Sequence, residues 1–236
     1  MLPILVLLAA MAVIGGLAYL QFRADERRRV ALKQLAAAKG WAYRPYDPSL
    51  TSRWVGRPFG EGFDRQAANV VSGVVRGLDL VAFDYRYKER TTDAQGHSTT
   101  TTHRYAVCAL HLPTILPEIH VTTENVLTRL GNAVGFEDIE LESDAFNRRF
   151  RVQSRDRKFA CDVLTPRTME ALLANPLEFR LELSDVVTWW DGRLQPLEIL
   201  RRAATLARVV DGVPEFVWKD HGYDPVARAA RGGGGT

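Results

Sequence analysis

Five histidines and two cysteines are the residues of this chain best suited to metal or nucleophile chemistry, and their spacing favours neither. On a strand, His103 and His111 point to one face but lie about 27 Å apart at ~3.4 Å per residue, too far to share an ion. His97, His120 and His221 have no H-x-x-x-H partner, and no C-x-x-C occurs, so no structural zinc site is expected. Cys108 and Cys161 each sit in an apolar stretch. Two buried, reduced thiols is the favoured reading, and a single disulfide in an oxidising compartment is the alternative.

The carboxylates and cations cluster more densely. Glu137, Asp138, Glu140, Glu142 and Asp144 alternate with Ile139 and Leu141, the pattern of a half-buried strand with a solvated outer face. Their spacing is not that of an EF-hand loop. Arg148, Arg149, Arg151, Arg155, Arg157 and Lys158 follow closely. Phe150 and Val152 should point inward and leave Arg149 and Arg151 outside, either paired with the acidic residues across a hairpin or offered to an anionic headgroup or partner. A second basic group, Arg27, Arg28 and Arg29, follows the apolar N-terminus and could meet the same chemistry. Gly56-Arg-Pro-Phe-Gly60-Glu-Gly62 is neither a P-loop nor a dinucleotide fingerprint, and no G-x-S-x-G elbow is present. The expected catalytic, cofactor and metal residues are therefore none. An enzyme whose site assembles only in three dimensions would draw on Asp84, His111, Glu140 or Glu142 and the Arg149 region.

Composition sets the frame for these groups. The 236 residues are 46% hydrophobic and 25% charged with a net charge of +3, ordinary for a globular protein and too balanced for a nucleic-acid binder. The first stretch is different. Leu2 to Leu20 carries no charge, and nineteen residues at ~1.5 Å each span about 29 Å, a bilayer core. Arg23, Arg27, Arg28, Arg29 and Lys33 follow it, and no Lys or Arg precedes it. A cleaved signal peptide would want the opposite arrangement. The positive-inside rule then puts the N-terminus outside and the folded part in the cytoplasm of a bacterial plasma membrane. The expected organisation is an anchor over 1–22, a juxtamembrane helix over 23–40, a folded domain over 41–228 and a flexible tail over 229–236. Two similar halves, with a break near 135–145, are a further expectation.

In the juxtamembrane helix, Val30, Leu32, Leu35 and Ala36 to Ala38 form an apolar stripe that ends at Gly40. Trp41 to Pro58 reads as irregular, packed down by Trp41, Tyr43 and Trp54. The period then becomes two, giving strands over 69–76, 78–88 and 103–112, a fourth over 118–122, and shorter ones over 138–142, 150–153, 179–183 and 186–190. The Thr-rich connection 89–102 reads as a mobile polar tip, with its Ser98 to Thr102 stretch open to phosphorylation. Helices are expected over 124–134, from Pro166 under a Thr165 cap, and from Pro196 with Leu197, Leu200, Ala204, Ala207 and Val210 inward and Ile199, Ala203 and Leu206 widening that face. Strands in hairpins rather than βαβ units indicate an α+β class, a mainly antiparallel sheet with helices on one face.

Asn69-Val-Val-Ser-Gly73, Ala82-Phe-Asp-Tyr-Arg-Tyr87, Glu142-Ser-Asp-Ala-Phe-Asn-Arg-Arg-Phe-Arg-Val152, Leu164-Thr-Pro-Arg-Thr-Met169 and Val217-Trp218 together resemble a family of uncharacterised bacterial membrane-anchored proteins. That resemblance implies a membrane-tethered domain and no activity.

The expected function is a membrane-tethered cytoplasmic interaction or scaffold module that meets the bilayer through residues 2–21. Its partner would be a protein or a lipid, with no nucleic acid and no small-molecule ligand. A lipid-headgroup reader and an enzyme with a hidden site are the alternatives.

Overall fold

The first helix, α1, runs without a break from Leu2 to Lys39, so the apolar N-terminal stretch and the juxtamembrane segment are one rod. The structure, a computed structural model, describes residues 2–123 and 136–224, leaving aside the side chains of residues 2–10 and 12. Among the described residues no helix is long and apolar enough to cross a membrane, so the transmembrane expectation finds no support there. The described side chains begin part-way along that segment. Met11, Val13, Ile14, Leu17, Tyr19, Leu20 and Phe22 are all more than half exposed. Further along, Leu32 and Ala36 are buried and Leu35 packs beside them, whereas Val30 faces out.

Nine strands follow among the described residues: β1 (Ala42–Tyr46), β2 (Phe63–Val75), β3 (Leu78–Thr92), β4 (Ser98–His111), β5 (Ile119–Thr123), β6 (Glu137–Ile139), β7 (Phe150–Ser154), β8 (Phe179–Glu182) and β9 (Asp185–Asp191). They form one antiparallel sheet in the order β1-β2-β3-β4-β9-β8-β5-β7-β6. The helices are α2 (Asp144–Asn147), α3 (Arg157–Val163), α4 (Pro166–Ala174), α5 (Pro196–Asp211) and α6 (Glu215–Asp220). The class is α+β, as expected.

Period-two alternation divides the sheet into two faces. Leu80, Ala82, Ala106, Cys108, Leu110, Val121, Phe150, Val152 and Val186 look toward the helices and join the main core. Val81, Phe83, Tyr85, Tyr87, Val107, Ala109 and Val187 look the other way, under a strap over 47–62 that presses Leu50, Trp54 and Phe59 onto them. Trp54 stacks on Phe83 at 6.0 Å between ring centroids, as expected of it, whereas Trp41 and Tyr43, expected to act beside it, lie before the strap and pack against the main core. Strand β1 lies at the sheet's edge, where Pro45 costs no ladder bond.

Three local differences have plain causes. The Thr-rich segment is not a loop: β3 and β4 stay paired from Lys88↔Thr102 to Thr92↔Ser98, and only the turn over 93–97, closed by the Asp93 N–H on the His97 carbonyl, lies outside the ladder. Threonine is β-branched and suits a solvated ladder. In α5, Leu197 is 73% exposed and Ala204 faces solvent, while Ile199, Ala203, Leu206, Ala207 and Val210 are buried. The inward stripe is thus centred on the residues expected to flank it. Finally, Cys161 is exposed on α3 and only Cys108 is buried, both as free thiols. The helix expected over 124–134 and the tail over 229–236 lie outside the described residues.

The terminators follow the sequence closely. Thr165 Oγ1 accepts the Thr168 backbone N–H at 3.3 Å ahead of Pro166, and Asp156 and Ser143 cap α3 and α2 in the same way. Gly212 ends α5. Its absent side chain leaves room for Thr168, whose Oγ1 would sit 2.5 Å from an added Cβ.

Candidate functional site

Where α1 first meets the sheet, a charge sits on the buried face of β3. Asp84 shares that face with Leu80 and Ala82, so it must be partnered. Its carboxylate accepts three hydrogen bonds at 2.7 Å, from Arg28 Nη1, Asn69 Nδ2 and the Leu194 backbone N–H. Arg28 also donates to the Leu194 carbonyl, and Asn69 Oδ1 accepts from Tyr43. One carboxylate therefore joins α1, β2 and the turn between β9 and α5. Asn69 adopts a positive φ of 52° beside a bulge in the β2–β3 ladder, and the bulge points its amide at Asp84.

Beside this lock lies a cavity of about 200 Å³. Its rim carries Arg28 and Arg29 from α1, Arg86 from β3, Arg104 from β4 and Arg193 from the turn after β9, with Asp25 and Asp84 as its carboxylates. Arg193 pairs with Asp25 and Arg28 with Asp84. Arg86 donates through Nε and Nη2 to the neutral Gln66 amide. Arg29 meets Glu26 only at 3.8 Å, with both half exposed. Arg86 and Arg104 are direct cross-strand neighbours.

A larger concavity of about 430 Å³ opens on the opposite face, lined by Arg57, Tyr87, Glu89, His103, Tyr105 and Trp189 among others. Several of its groups are already engaged. Tyr87 stacks on His103 and Tyr105. His103 Nε2 lies 3.1 Å from Glu89, and Glu178 accepts from the Thr123 backbone and hydroxyl. Arg180 is sandwiched against Trp189 and Phe59.

Next to it, buried charges tie down the strap. Arg180 donates to the carbonyls of Val55 and Arg57, and Glu182 accepts the Val55 N–H. Asp185 accepts two bonds from Arg53, one from Trp54 Nε1 and a contact from His111 Nδ1. An irregular segment needs partners for its backbone, and these side chains supply them. Burial raises the Glu182 carboxyl above its usual range and lowers the Arg180 guanidinium. Burial also pushes the Cys108 thiol up to about 12, so it is no nucleophile.

The two expected basic groups do not meet. Arg28 is part-buried in the lock, Arg29 lines the smaller cavity and Arg27 faces solvent on α1. Arg151 is paired with Asp138 across β6 and β7, the cross-strand pairing anticipated for it, and Arg149 is exposed just before β7. Strand β7 stands six places from β2, about 29 Å at ~4.8 Å per strand. Nor does the fold gather the candidates for a hidden active site. Asp84 lies on the helix face, His111 on the strap face, and Glu140, Glu142 and Arg149 near the far edge. No group of three or more metal-ligating side chains occurs among the described residues. Sequence reasoning missed Arg86, Arg104 and Arg193, although period two from Asp84 places Arg86 on its face.

No family model and no curated protein matches the chain. A solved structure does: the crystal structure of the mycobacterial trehalose monomycolate transport factor A, TtfA. It is similar at a TM-score of 0.58, covering 80% of this chain and 95% of that one at 18% identity. At that identity the likeness shows the fold. The resemblance to uncharacterised membrane-anchored proteins finds no family match beside it.

Proposed function

We propose that the chain is a membrane-tethered, non-enzymatic interaction or scaffold module. In this reading residues 2–21 anchor it in a bacterial plasma membrane, the folded domain is cytoplasmic, and it engages a protein or lipid partner. The observation that carries the reading is the continuity of α1. Its first half is uncharged from Leu2 to Leu20 and presents exposed apolar side chains. Its second half is clamped to the sheet by Leu32, Ala36 and the Arg28–Asp84 pair. A rod apolar at one end and locked into a domain at the other holds that domain at a fixed attitude to a membrane.

The fold shared with a transport factor supports a narrower form, an accessory role in moving a lipid, and that form rests on the fold likeness alone.

Membrane fractionation with alkaline carbonate, combined with phosphatase and fluorescent reporters fused separately at Thr236, tests the reading. Retention in the pellet with a fluorescent, phosphatase-negative fusion is expected. Release by carbonate would remove the anchor, and a phosphatase-positive fusion would reverse the orientation.

A further inference from the structure

We infer that the small cavity at the foot of α1 is a binding site for a phosphoryl anion, held by Arg29, Arg86 and Arg104. Two like charges are in conflict there. Arg86 and Arg104 stand directly opposite each other on β3 and β4, and like charges so placed repel. Neither has an ion-pair partner among the described residues: Arg86 bonds the neutral Gln66 amide, with the nearby Asp64 carboxylate paired to Lys88, and Arg104 is exposed. Arg29 and Arg193 line the same cavity, and both of its carboxylates are already committed to Arg28 and Arg193. Planar guanidinium groups converging from a helix and two strands suit a phosphate, which accepts several charge-assisted bonds at once. A volume of about 200 Å³ has room for several waters, enough for a phosphate with a short ester substituent.

Position points to the source of that phosphate. Asp25 to Arg29 lie five to nine residues beyond Leu20, about 8–14 Å along the helix axis. If residues 2–21 span the bilayer, as proposed above, the cavity mouth sits at the outer edge of the headgroup layer, which is about 5–8 Å deep on each side. An anionic phospholipid headgroup and a free phosphate ester offer the same chemistry, so the experiment must separate them.

The full chain in a non-ionic detergent would be titrated with inorganic phosphate and with glycerol 3-phosphate by calorimetry. The same chain in phosphatidylcholine nanodiscs, with and without phosphatidylglycerol, would be melted by tryptophan fluorescence. Saturable binding of both soluble probes is expected. Arg104→Gln and Arg86→Gln should each weaken it by about fivefold, near the ~1 kcal/mol assigned to a basic residue beside an anionic surface. Arg149→Gln, at the far edge, should bind as wild type. In phosphate-free detergent, Arg104→Gln should melt no lower than wild type, because it relieves the repulsion. A higher midpoint with phosphatidylglycerol, lost in Arg104→Gln, identifies the lipid headgroup as the source. Phosphate binding without that rise identifies a soluble ester. No phosphate binding, or binding indifferent to Arg104→Gln and Arg86→Gln, overturns the site. Because the detergent titration does not depend on the anchor, a negative carbonate extraction would remove the tether and leave the phosphate result standing.

Discussion

Replacing Asp84 with alanine should be among the most damaging single changes in the domain, and far worse than replacing its partner. Asp84→Ala strips one acceptor from three donors at once. It leaves Arg28, whose side chain is 9% exposed, the Asn69 amide and the Leu194 N–H without their shared carboxylate. Breaking a buried ion pair from one side costs about 3–5 kcal/mol, because the surviving charge stays buried and unmatched. Arg28→Ala leaves Asp84 with two donors and a side chain 17% exposed, so its cost should fall to about 1–3 kcal/mol. The double variant should lose less than the two single losses together, with a coupling of about 1–3 kcal/mol. For a domain of this size each kcal/mol moves the melting midpoint by about 2–4 °C, so Asp84→Ala should drop it by about 6–20 °C. Thermal melts of the four proteins in detergent, followed by tryptophan fluorescence, complete the cycle. Losses under about 1 kcal/mol for Asp84→Ala, or strictly additive losses, would show that this pair behaves as a surface ion pair and does not set the attitude of α1.

Three further outcomes are expected. Exposed Cys161 should react with a maleimide in the native protein while Cys108 reacts only after denaturation, and mass spectrometry of the labelled peptides reads this directly. Because burial raises the Glu182 carboxyl, the native state holds this proton to a higher pH than the unfolded chain. Its contribution is complete below the ordinary glutamate value and is lost as pH climbs through the raised one. In urea melts between about pH 4 and 7, the stability of Glu182→Gln relative to wild type should therefore rise with pH, and a difference that stays flat would contradict the burial. At Gly73, an added Cβ would lie 2.1 Å from Trp41, so Gly73→Ala should displace that ring and cost about 1–3 kcal/mol, visible as a shift in indole emission.

Much of the architecture was legible because it rests on local pattern. Alternation gave the β3–β4 hairpin and its buried faces, and Thr165-Pro166 and Pro196 marked where two helices begin. The misses have identifiable causes. Strand β1 is mostly exposed and contains Pro45, so it shows neither alternation nor apolar bias. The Thr-rich ladder is polar on both faces and differs from a loop only in its β-branched content. In α5, Leu197 looks like a core residue by type, but it falls in the first turn on the solvent side, and tertiary placement decided its burial.

The candidate site was harder to see for a different reason. Its key residues break the pattern that makes strands readable. Asp84 interrupts an apolar face of β3, and Arg180 and Glu182 lie fully buried on β8, where alternation would assign them to solvent. A sequence reading treats such charges as the outer face of a strand, because a buried charge is stable only through partners remote in the chain. Arg28 lies 56 residues from Asp84, Leu194 lies 110 from it, and Val55 lies 127 from Glu182. None of these partnerships leaves a local spacing. What does leave a trace is the parity of the positions. Arg86 is two residues from Asp84, and the hairpin register sets Arg104 opposite it, so two arginines are forced onto the face that carries Asp84. Burying one such charge demands a counter-charge from the chain. Bringing several together at a cavity mouth, after the chain's own carboxylates are spent, demands one from outside it.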